Sequence, residues 1–199
     1  PYVIRASRGA GLDQFGTVFA GGPAAKPLTK SVRRLPLPAS APADAVVVAV
    51  ETVLGTDVIV SMLTPAPLRM ATPLGDLVCD GRAAAILGNR RQPREAALFG
   101  GTRLAVAGVA LSCPRAACGG KVFEVGSAPG ESWFVIEGEL PKDVNGQTLF
   151  VQDGGMRRAY PIRDVRVVDG GTRVYAKAKQ AGFEARPGQS WELVTAVWR

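Results

Sequence analysis

The side chains best equipped for chemistry are arginines and one tyrosine. Tyr160 follows the pair Arg157–Arg158. A guanidinium close to a phenol favours the phenolate and lowers its pKa. A base beside cations that neutralise a carboxylate is the equipment of proton abstraction next to a uronic acid. The structural alternative is that Tyr160 alternates with Ile162 in an apolar strand and is a core residue with its hydroxyl at the rim. Arg90, Arg91 and Arg94 form the densest basic cluster, on a loop marked by Gly88-Asn89 and Pro93. Guanidinium forks grip carboxylates and sulfates in a bidentate way. Arg90, Arg91, Arg94, Arg157, Arg158 and Tyr160 are therefore the candidate residues for holding an acidic polysaccharide. A solvated charged face is the alternative for the arginines, and for Arg33–Arg34.

The chain contains no histidine. Serine–histidine triads and His-bearing zinc sites are thereby excluded, because histidine is the usual base near neutral pH and the commonest metal ligand. Asp143 and Asp153 sit beside Gly or Asn in turn-like segments, with nothing to mark them as a glycosidase pair. No phosphate-cradling glycine loop occurs; Gly100-Gly101 and Gly119-Gly120 read as plain turns. No catalytic residue, metal or cofactor is assigned. Of three cysteines, Cys113 and Cys118 enclose a four-residue loop that a disulfide could close if their Cα atoms come within about 7 Å. Cys79, in Leu77-Val78-Cys79, reads as a small core residue.

A formal charge of +7 draws polyanions in general: acidic glycan, nucleic acid or anionic lipid. Nucleic-acid motifs are missing, and no apolar run approaches the ~20 residues of a membrane-spanning helix. Neither nucleic acid nor membrane is an expected partner. Pro1–Arg5 reads as a strand entered midway, as in a piece of a longer protein.

The elements that must position these residues are strands. Short runs of Val, Ile, Phe, Tyr and Thr alternate with Gly, Pro, Asp and Asn, and no window keeps a helical period over three turns. Strands are expected at Phe15–Phe19, Thr29–Leu37, Ala45–Val53, Thr56–Met62, Leu74–Cys79, Ala83–Leu87, Ala96–Phe99 and Thr102–Leu111. Others follow at Lys121–Val125, Ser132–Glu137, Gln147–Gln152, Ala159–Val168, Thr172–Ala178 and Ser190–Trp198. Leu54-Gly55 marks the clearest hairpin. The unbroken Val46-Val47-Val48 predicts a strand buried on both faces. A parity shift in Ala159–Val168 predicts a bulge near Arg163-Asp164. Trp133 and Trp191 are expected in the core and Trp198 at the surface. Together these predict an all-β fold, an antiparallel β-sandwich of about a dozen short strands in one domain, residues 1–199, with a weak seam near 114–120.

Two stretches carry a family resemblance. Phe15-Gly16-Thr17-Val18-Phe19, a Pro-containing linker and Ser31-Val32-Arg33-Arg34-Leu35-Pro36 form one; Gly146-Gln147-Thr148-Leu149-Phe150-Val151 and Arg157-Arg158-Ala159-Tyr160-Pro161-Ile162 form the other. Both are similar to the late β-region of heparinase II/III-like polysaccharide lyases. That family joins an α-helical toroid to antiparallel sheets and cleaves acidic polysaccharides by β-elimination, with a catalytic Tyr and His that no position here matches. The resemblance implies a secreted or periplasmic, non-catalytic C-terminal domain. Its expected partners are the upstream catalytic domains of the same enzyme and acidic polysaccharide. A free-standing carbohydrate-binding module and a structural or adhesion sandwich with a protein partner are the alternatives.

Overall fold

A computed structural model of the chain describes residues 28–90, 92–128, 131–141, 144–176 and 185–199; the strands expected at Pro1–Arg5 and Phe15–Phe19 lie outside these. The described residues hold sixteen strands and no helix. The all-β antiparallel reading stands, with more strands than the dozen expected.

The chain divides into two compact units. The first takes the described residues up to Ala116 together with Ala196–Arg199, and the second is Ala117–Thr195. In the first, a six-stranded sheet has the order β1 (Thr29–Arg34), β2 (Val46–Thr52), β3 (Thr56–Ser61), β6 (Ala83–Asn89), β7 (Gln92–Phe99) and β16 (Ala196–Trp198). A four-stranded sheet orders β4 (Leu68–Thr72), β5 (Gly75–Cys79), β8 (Arg103–Val106) and β9 (Val109–Ser112). Each strand alternates, so one face of each sheet supplies a shared core. Val47, Val58, Val60, Ile86 and Leu98 from the larger sheet meet Leu68, Leu77, Cys79, Leu104 and Val106 from the smaller. Burial pushes the Cys79 thiol pKa up, as suits an inert core residue.

The second unit is a closed barrel rather than a pair of sheets. Its order is β10 (Ala117–Ala128), β11 (Glu131–Ile136), β14 (Gly171–Ala176), β13 (Met156–Val168), β12 (Thr148–Asp153) and β15 (Ser190–Val194). Closure leaves no unpaired edge. Phe134, Ile136, Leu149, Tyr160, Ile162, Val174, Trp191 and Leu193 fill the interior. The register of β13 shifts between Ile162 and Asp164, where the parity change in the sequence placed a bulge. Ala117 pairs with Val194, so the chain enters and leaves the barrel on adjacent strands.

Several boundaries differ from expectation. Thr102–Leu111 is a hairpin rather than one strand, turning at Ala107 (φ 39) and Gly108 (φ 86). Alanine in a left-handed turn position is rare, which concealed it. Ser190–Trp198 is also two strands: β15 belongs to the barrel, while β16 pairs with β7. Gly119 and Gly120 are not a turn but strand residues of β10. A Cβ on Gly120 would stand 3.1 Å from Trp191 Nε1, so its hydrogen side makes room for the indole. Val46-Val47-Val48 is fully buried only at Val47; Val46 and Val48 stand half-buried on a face that the four-stranded sheet does not cover.

Candidate functional site

The outer face of the six-stranded sheet is unusually apolar. Its registers build continuous rows across the strands. One runs Arg34, Val48, Ile59, Ala85, Ala97, Trp198, and another Val46, Ser61, Ala83, Phe99, Ala196. Large apolar groups stand in the open along these rows and beside them: Ile59 at 39%, Leu87 at 43%, Phe99 at 42% and Trp198 at 67% exposure. Between Ile59 and Trp198 the floor is alanine. Three strand spacings separate them, roughly 14 Å, close to the ~10–12 Å diameter of a helix. The two acids near Leu87 are engaged locally. Asp57 accepts from Gly88 N–H at 3.0 Å, and Glu95 pairs with Arg94 at 3.3 Å. At that end Leu28, Val53, Leu54 and Leu87 line a cavity of about 240 Å³ with Arg94 and Glu95 at its edge. Sequence reasoning flagged the run Val46-Val47-Val48 but took it to be buried on both faces.

The sequence-predicted polysaccharide residues fall into both units. Arg90 (φ 56) and Arg94 are exposed on the β6–β7 hairpin, and Arg91 lies outside the described residues. Arg157 and Arg158 occupy adjacent positions of β13 and face opposite ways. Arg157 lies 4.8 Å over Phe150 and pairs with Glu192, whereas half-buried Arg158 shares the inward parity of Tyr160. Tyr160 is 2% exposed, its ring 5.6 Å from that of Phe134 and edge-on. Tyr160 is therefore a core residue, as the structural alternative has it, but with its hydroxyl buried rather than at the rim: strand parity points it into the barrel, away from any polymer outside. Cys113 and Cys118 are not joined to each other, and Cys113 Sγ donates to the Arg115 carbonyl at 3.2 Å. Among the described residues no group of His, Cys, Asp or Glu could hold a metal ion.

Trp191 is in the core as expected, at 4% exposure. Trp133 is not. Phe134 and Ile136 take the inward parity of β11, so Trp133 and Val135 face outward. Trp133 lies across Gly126 with Arg173 4.3 Å over its ring. Sequence reasoning passed over Arg173 and Arg166; their only signal was a basic residue alternating with apolar ones in two strands that turned out to be neighbours.

Charge separates the units. Residues 1–116 and 196–199 carry fourteen Lys and Arg against seven Asp and Glu, whereas 117–195 carry ten of each, so the whole +7 belongs to the first. Among the described residues no helix is long and apolar enough to cross a membrane. No protein family, curated protein or solved structure matches the chain.

Proposed function

We propose that this chain is a non-catalytic accessory domain of a heparinase II/III-like polysaccharide lyase, secreted or periplasmic, that buttresses the catalytic domains of the same polypeptide and contacts acidic polysaccharide. One observation carries the docking role. Strands whose sequence is apolar on both faces, such as Val46–Val48 and Ala83–Leu87, have one face in the core and the other half-buried or exposed. Continuous apolar strands belong to sheets layered on both sides, and large exposed apolar patches mark interaction sites.

The size of the face favours a tethered occupant. Six strands about five residues long span roughly 24 by 17 Å, or about 400 Å² on each partner. The resulting total of about 800 Å² is below the ~1,200 Å² of stable complexes between separate proteins, and within the ~600–1,500 Å² of contacts between domains of one chain. The alanine floor between Ile59 and Trp198 suits a helix, which is what the resemblance places in the catalytic part.

The test compares the purified chain with the longest natural polypeptide that contains it. Surface labelling should modify Trp198 and expose the β6–β7 face in the chain alone, and spare both in the longer polypeptide. The chain alone should release no unsaturated uronate from heparin or polygalacturonate. Equal labelling in both proteins, a dimer of the isolated chain that protects the face, or turnover by the chain alone would each overturn the reading.

A further inference from the structure

On the outer wall of the barrel, Arg166 of β13 stands directly opposite Arg173 of β14. Like charges at opposed positions of an antiparallel pair repel. Aromatic rings hold both in place: Arg173 lies 4.3 Å over Trp133 and Arg166 4.9 Å over Tyr175. Asp164 meets Arg166 Nε at 3.3 Å, and among the described residues it is the one carboxylate paired with either guanidinium. Arg173 has no ion pair among the described residues, and its buried Nε has no hydrogen-bond partner. Glu124 ends the same cross-strand row, separated from Arg173 by Val135.

We infer that Arg166 and Arg173 form a cradle for the carboxylate or sulfate of an acidic sugar unit, with Trp133 and Tyr175 as fixed supports. Opposed residues have Cα atoms ~4.5–5.5 Å apart, so two forks can converge on one group. Stacking occupies the faces of the guanidinium planes and leaves their in-plane N–H groups to donate. An anion between them turns a repulsion into charge-assisted hydrogen bonds. The barrel has balanced charge, so this attraction belongs to the pair and not to a general field. Only the sugar as the source of the anion rests on the function proposed above; the pairing of the arginines does not.

Calorimetric titration of the purified chain with hexagalacturonate and a heparin hexasaccharide tests this, beside inorganic sulfate and a neutral maltohexaose. Arg173→Gln and Arg166→Gln should each weaken binding of the acidic oligosaccharides about tenfold, the loss of one charge-assisted hydrogen bond. Arg69→Gln, at an exposed position of β4 in the other unit, should leave it unchanged. Arg166 is well exposed, so its variant keeps the test open should Arg173→Gln unfold the barrel. Unchanged affinity in both barrel variants with loss in Arg94→Gln overturns the cradle and leaves the polysaccharide role standing. Absence of binding by every version overturns both. Sulfate bound as tightly as either oligosaccharide reduces the pair to a simple ion site and overturns the sugar assignment.

Discussion

Arg173 lies 4.3 Å over the ring of Trp133, and that ring rests on Gly126 of the next strand. The indole thus lies flat on the barrel wall because the glycine opposite has no side chain. A Cβ at residue 126 would run into the ring, so Gly126→Val must displace Trp133 and release Arg173 from it. We expect a loss of about 1–3 kcal/mol in the stability of the barrel, in the range of overpacking substitutions. Denaturant unfolding followed by tryptophan emission checks this. An unchanged midpoint would show that the stack carries no weight.

The pattern of β11 makes this placement readable in part. Alternation by itself separates Phe134 and Ile136 from Trp133 and Val135. Which pair faces the interior depends on strands far away in sequence, and apolar bulk favours the wrong choice for Trp133. The bulge in β13 is legible because a parity change is local. The split of Ser190–Trp198 at Thr195 is not, since both halves have the same composition and differ only in their partners. β4 escapes notice because the prolines just before Leu68 disguise its start. The outer face of the six-stranded sheet is legible as apolar sequence and illegible as surface, because alternation cannot tell a covered face from an open one. Arg166 and Arg173 come together only through register.

Asp80 fixes the junction between β5 and β8. Its carboxylate accepts from Thr102 N–H and Arg103 N–H, both at 2.8 Å, and from the Thr102 hydroxyl. Burial raises its pKa, but the hydrogen bonds from the Thr102 hydroxyl and the Arg103 and Thr102 amides outweigh it and hold the carboxyl below its ordinary value of 3.8. A depressed folded-state pKa contributes stability above the unfolded value, and that contribution is lost as pH falls through the folded value. Asp80→Asn should cost about 0.5–1.5 kcal/mol near neutral pH, because the exposed donors it leaves can turn to water. It should also flatten the fall in stability below the ordinary carboxylate value. Parallel acid titrations of the two proteins, followed by circular dichroism, would refute this if their slopes coincided there.

Gly88 lies where β6 crosses the start of β3. A Cβ there would strike the Thr56 carbonyl oxygen and approach Leu74 Cδ2 at 2.9 Å. Backbone cannot yield as a flexible side chain can. Gly88→Ala should therefore destabilise the sandwich by about 1–3 kcal/mol. The same change at Gly108 meets no neighbour within 4 Å and is strained only by its φ of 86. Alanine there should cost the smaller penalty of a left-handed residue, about 1 kcal/mol. Thermal melts that rank the two variants in the reverse order would contradict the close approach at β3.

Consecutive residues of β6 test whether the outer sheet face is a finished surface or an unfinished contact. Ile86 is 0% exposed and faces the core, while Leu87 is 43% exposed and faces out. Ile86→Ala should cost about 2–5 kcal/mol in the isolated chain through the cavity it leaves. Leu87→Ala should stay within about 0.5 kcal/mol, as surface changes do. In a longer polypeptide whose other domains cover this face, the Leu87→Ala cost should rise well beyond that figure, because the side chain is then buried by both layers. Denaturation of both variants in both contexts separates the cases. If Leu87→Ala is equally mild in the longer protein, the apolar rows from Val48 to Trp198 are surface and nothing docks on them.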